Sequence, residues 1–71
     1  MSVEVAAPMP GKILEILVKV GDQVACEDEL VILEALKMEN PIYAPVDGKV
    51  VDIKVAAKAT VEAGQVLIVL E

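Results

Sequence analysis

The chain is 71 residues long, 56% apolar with one aromatic, and carries a net charge of −6. That length suffices for one small domain, and the acidic balance argues against nucleic acid as a partner because nothing neutralises phosphates. One cysteine, Cys26, and no histidine exclude an internal disulfide and a conventional zinc site, so stability must come from packed Val, Ile, Leu and Ala.

The N-terminal stretch MSVEVAAP has neither the basic region nor the long apolar run of a secretion signal, which makes the cytoplasm the expected compartment. A first strand is expected over Val3–Ala6. In KILEILVKV, residues 12–20, Leu14, Ile16, Val18 and Val20 share one parity while Glu15 and Lys19 take the other. Period two predicts a half-buried strand. Gly21-Asp22 then marks a turn and Val24 a short strand. Strands are expected over residues 30–35 and 39–44. Further on, Val51, Ile53, Val55 and Ala57 alternate with Asp52 and Lys54. A short strand near Val61, a turn at Ala63-Gly64-Gln65 and a strand in QVLIVLE complete the chain. The longest unbroken apolar run, Val66 to Leu70, is far below membrane-spanning length, so direct membrane insertion is not expected.

The chain repeats itself. Residues 7–34 align without a gap to residues 44–71 at an offset of 37, with 10 identities among 28 pairs. This predicts two copies of one unit, about 3–34 and 40–71. Two copies are too few for a solenoid, so they are expected to embrace around a pseudo-two-fold axis and share a core. The expected fold is all-β, with about four strands per copy.

EALKMEN, residues 34–40, joins the copies. Its residues favour a helix, but DELVILE corresponds to QVLIVLE, which is short, β-branched and follows a glycine. Strand, turn, strand is therefore the expectation. It sets Lys37 on the connecting hairpin, at the opposite end of the body from both termini. The other lysines read as ordinary surface residues. Lys37 differs because Leu36 and Met38 flank it, and two bulky apolar side chains at an exposed tip suit a contact surface for another protein.

APMPGKI, VKVGDQV, EALKMEN and APVDGKV together resemble the biotinyl domain of biotin-dependent carboxylases and decarboxylases, the biotin carboxyl carrier family, over about Val3 to Glu71. The family's Ala-Met-Lys-Met signature stands here as Ala35-Leu36-Lys37-Met38. The resemblance implies a flattened β-barrel, or sandwich, of two four-stranded antiparallel sheets, spanning 1–71 as a single biotinyl domain. It implies biotin covalently attached to Lys37, with no catalysis by the carrier itself. Glu34, Ala35, Leu36, Met38 and Glu39 would be read by the biotin protein ligase and later partners. Those partners would be a biotin carboxylase and a carboxyltransferase or decarboxylase subunit, between which the arm shuttles CO2. Related lipoyl carriers share the fold and also modify a hairpin lysine, typically within Asp-Lys-Ala, whereas Leu-Lys-Met matches the biotin type. An unmodified structural or adaptor domain, with Leu36 and Met38 as a docking knob, is the alternative from another class. Leu36 for methionine, Glu27 for glycine, and Lys58-Ala59-Thr60 for a Gly-Asp turn depart from the family pattern. The last two bear on local stability, the glutamate straining its turn if φ is positive there.

Overall fold

β-branched and leucine-rich runs interrupted by Gly, Pro and Asp leave only short extended segments. The computed structural model describes residues 2–71; Met1, first residue of the expected domain, lies outside the described residues. Eight strands form: β1 (Val3–Ala6), β2 (Gly11–Ile16), β3 (Gln23–Val24), β4 (Glu29–Ala35), β5 (Met38–Tyr43), β6 (Gly48–Ile53), β7 (Thr60–Val61) and β8 (Val66–Leu70). No helix occurs among the described residues, so EALKMEN resolves as the end of β4, a turn, and the start of β5.

The strands make two antiparallel four-stranded sheets, ordered β1-β8-β6-β3 and β5-β4-β2-β7. A shift of 37 residues turns one order into the other, and the registers obey it: Val3 faces Leu70 as Asn40 faces Leu33, and Val5 faces Ile68 as Ile42 faces Val31. Each sheet takes two strands from each half of the chain. Neither half holds a complete sheet by itself. The two sheets stay separate and pack face to face, so the body is a flattened sandwich and not a closed barrel.

The core follows the same symmetry. Val5, Ala7, Ile13, Val24, Leu30, Val31 and Leu33 are buried, and so are their counterparts Ile42, Ala44, Val50, Val61, Leu67, Ile68 and Leu70. Each fully buried Leu or Ile contributes about 1.5–3 kcal/mol, and no polar side chain is buried among the described residues. The core between the sheets is therefore wholly aliphatic.

The expected stripe over residues 12–20 needs correction. Ile13, of the opposite parity, is the fully buried residue, while Leu14, Ile16 and Val18 are half-buried and Val20 is 61% exposed. A bulge between Ile13 and Glu15 in the β2–β4 pairing accounts for this. The extra residue flips the alternation and bends the strand, which ends at Ile16 and not at Val20. The second half does the same: Val50 is buried, a bulge lies between Val50 and Asp52, and Val51 and Ala57 are exposed.

Two turn positions share an unusual backbone. Gly21 (φ 99°) corresponds to Lys58 (φ 71°), and Gly64 (φ 82°) to Glu27 (φ 73°). Each left-handed position is glycine in one half and a residue with a β-carbon in the other. The strain foreseen for Glu27 is present, and Lys58 carries it too. Such a conformation costs a non-glycine residue about 1–2 kcal/mol, part of which glycine's backbone entropy offsets. Glu27→Gly and Lys58→Gly are each expected to stabilise the domain by about 0.5–1 kcal/mol. Thermal unfolding of the single and double variants checks this, with additive rises in Tm expected because the sites are independent.

Candidate functional site

The β4–β5 hairpin is the covalent link between the halves. Strand pairing runs Leu33–Asn40, Glu34–Glu39 and Ala35–Met38, leaving Leu36 and Lys37 as a two-residue loop. β4 thus ends at Ala35 as expected, and β5 begins at Met38, one residue before the expected Glu39. Leu36 has φ 54° and Lys37 φ 63°. Positive φ at both central residues defines a type I′ turn, whose twist suits a hairpin and which Asn-Gly ordinarily occupies. Here neither residue is Asn or Gly, so each stores about 1–3 kcal/mol of strain.

The surrounding residues hold that turn in place. Ala35 is buried at the end of the core, whereas its partner Met38 is 64% exposed and Leu36 is 90% exposed. The Asn40 side-chain amide donates to the Met38 carbonyl at 3.2 Å, tying down the residue that follows the turn. Glu34 and Glu39 face each other across the hairpin, both exposed, and Lys12 lies across from Glu34 on its other side. Gly11 lets β2 approach β4 closely, since a β-carbon there would run into the Glu34 carbonyl oxygen. Sequence reading missed Asn40 and Gly11. Asn40 had the signal of an amide two residues beyond the turn; Gly11 reveals its role only through the approach of β4.

Chemically the tip is an amine presented to solvent. Lys37 is exposed and makes no ion pair among the described residues, where the one salt bridge is Lys54–Asp52 at 2.7 Å. That pair belongs to the other sheet: its hydrogen bond holds Asp52 below the usual carboxylate range and raises Lys54. No group of His, Cys, Asp and Glu among the described residues could hold a metal ion. No adjacent base is built to deprotonate the amine, so a bond to Lys37 requires an acyl group activated elsewhere. An unpaired primary amine at an exposed turn fits attachment of a carboxylic-acid cofactor as an amide.

No helix of the described residues is long and apolar enough to cross a membrane. The family described as "Biotin-requiring enzyme", the biotin/lipoyl family, matches residues 3–70. The biotin carboxyl carrier protein of Streptococcus mutans is 53% identical over 64 residues, covering 90% of this chain and 49% of that protein. A biotinylated protein TB7.3 homolog of Mycobacterium leprae is 37% identical over 70 residues, covering 99% of both chains. The crystal structure of Kluyveromyces lactis urea carboxylase contains a region that superposes with a TM-score of 0.94 at 30% identity, covering all of this chain and 6% of that one. The chain thus spans about half the length of the streptococcal relative and a small part of the large carboxylase. A duplicated sandwich whose crossover hairpin exposes a lysine agrees with these likenesses: the chain belongs to the biotin/lipoyl family.

Proposed function

We propose that Lys37 is the residue that carries biotin, through an amide between its Nζ and the biotin carboxyl carbon. Residues 1–71 then act as a single carrier domain made of two fused repeats, about 3–34 and 40–71. The observation that carries this reading is the type I′ turn: it projects Lys37 between exposed Leu36 and Met38 at the tip of a rigid body. A biotin protein ligase would present an activated biotinyl-adenylate. The amine attacks the acyl carbon, AMP leaves, and one proton passes from nitrogen to the ligase or solvent.

In this reading Leu36 and Met38 give the ligase and later partners an apolar grip. Glu34 and Glu39 add a negative rim to the hairpin, and Ala35 keeps its base sealed against the core. Leu36 in place of methionine preserves volume and apolarity. When bound, biotin supplies a ureido nitrogen that holds a carboxyl group. The protein's own part is to keep the attachment point fixed relative to a rigid body, so that each transfer becomes a local search at high effective concentration. A biotin carboxylase and a carboxyltransferase or decarboxylase subunit are the partners this implies, in the cytoplasm.

The test offers the purified chain to a biotin protein ligase with biotin and ATP, and separately to a lipoate ligase with lipoate and ATP. Intact-mass spectrometry should find one biotinyl group per chain in the first reaction and none or little lipoyl in the second. Preferential lipoylation would move the chain to the other branch of its family. No adduct in either reaction would favour the docking-knob alternative.

A further inference from the structure

The crossover at Leu36-Lys37 is the one covalent link between halves that grip each other through most of their strand pairings. β1 with β8, β3 with β6, β5 with β4 and β7 with β2 all pair across the halves, whereas β2–β4 and β6–β8 pair within one. None of these pairings requires both halves to come from the same chain. The first half of one molecule fits the second half of another as well as its own.

The link that keeps them together is short and strained. Leu36 and Lys37 both hold left-handed φ values without being Gly or Asn, and a short hinge under strain invites exchange. If the hinge opens, both residues return to the extended region, which any L-residue occupies without that strain. The register that sets Ala35 against Met38 then runs on without a slip. Leu36 falls opposite the partner's Lys37, and Lys37 opposite the partner's Leu36.

We infer that this chain exchanges halves with a second copy of itself, giving a domain-swapped dimer in which β4 and β5 fuse into one strand through Lys37. Association costs translational and rotational freedom, so the monomer prevails when dilute and the dimer grows with concentration. In the dimer Lys37 lies in mid-strand between two bodies and is no longer at a turn. The swapped form therefore withdraws the amine from the ligase. That consequence rests on the acceptor role proposed above; the dimer itself does not.

The chain is unfolded in guanidinium chloride and refolded at micromolar and at millimolar concentration, then sized by light scattering. A species of twice the chain mass and close to twice the 32 Å length of one body is expected at the higher concentration and should be scarce at the lower. In a dimer refolded from mixed isotope-labelled and unlabelled chains, Leu33–Asn40 contacts should become intermolecular. The double variant Leu36→Asn, Lys37→Gly supplies the residues that a type I′ turn prefers. It should lower the dimer share at least tenfold, which is the equilibrium effect of about 1.4 kcal/mol of strain relieved over the two chains together. Monomer at both concentrations would overturn the inference. So would a dimer whose Leu33–Asn40 contacts stay within one chain, or one whose share the double variant leaves unchanged. With wild-type dimer, biotinylation much slower than for monomer from the same preparation supports the withdrawal of Lys37; equal rates would overturn it. Labelling of the monomer separately checks the acceptor role.

Discussion

Lys37→Gln is expected to take up no biotin from a biotin protein ligase, while the wild-type chain is labelled to one group per molecule. All six lysines are exposed, so exposure does not single out Lys37. Nor does a left-handed turn by itself: Lys58 also has positive φ but sits between Ala57 and Ala59. What Lys37 has alone is a two-residue hairpin loop with exposed Leu36 and Met38 on either side. Lys58→Gln should therefore leave labelling intact, and streptavidin blotting with intact-mass measurement reads both variants. Residual label on Lys37→Gln would mean that a different amine is the acceptor.

Lys37→Gly separates stability from function at the same position. It should lose all label and yet unfold at a higher temperature, because glycine occupies the left-handed turn without a β-carbon clash. The gain is about 0.5–1 kcal/mol, a rise in Tm of roughly 2–8 °C for a domain of this size. A carrier that becomes more stable as it loses its acceptor would show that the turn's strain is kept for what it presents. An unchanged or lower Tm would instead mean that Lys37 is not strained in solution.

Gly11→Ala is expected to be the most damaging single methyl addition in the chain. The new β-carbon meets the Glu34 backbone carbonyl, which cannot swing aside as a side-chain tip could, and it also presses on Leu33. Overpacking of this kind costs about 1–3 kcal/mol, and the upper end applies because the obstacle is backbone. That is a large share of the roughly 4–10 kcal/mol available to a domain of this length. Gly48→Ala at the matching position meets the Glu71 carbonyl at 3.1 Å, a contact that a small shift relieves. About 1 kcal/mol is expected there. Urea unfolding should rank the two variants in that order. Hydrogen exchange should place the Gly11→Ala damage in the β2–β4 pairing beside the hairpin. Equal losses would contradict the difference in approach.

Much of this arrangement was legible in one dimension. The offset of 37 residues is visible as identities, and the same offset relates the strand orders, the registers and the seven matched core residues of each half. Because QVLIVLE is plainly a strand, its counterpart in the first half could be read as one against its local helical preference. Lys37 followed as the residue between the copies, with its apolar neighbours already suggesting a contact tip. These inferences needed only composition, period and internal comparison.

Other features depended on partners distant along the chain. Alternation over residues 12–20 pointed to Val20, but the bulge at Ile13–Glu15 made Ile13 the core residue, since pairing with β4 and not the local pattern decides where a strand skips a step. The handedness of the Leu36-Lys37 turn came from closing Ala35 on Met38 between two twisted strands, a demand strong enough to hold residues with little intrinsic taste for it. Gly11 acquired its importance from a carbonyl that lies 23 positions away in sequence, at Glu34. Sequence by itself determined which segments extend, how they repeat and where the lone crossover amine falls. Tertiary structure decided the phase of burial, the hand of the turn and the close approach beneath it, because each is set by a backbone neighbour that only folding supplies.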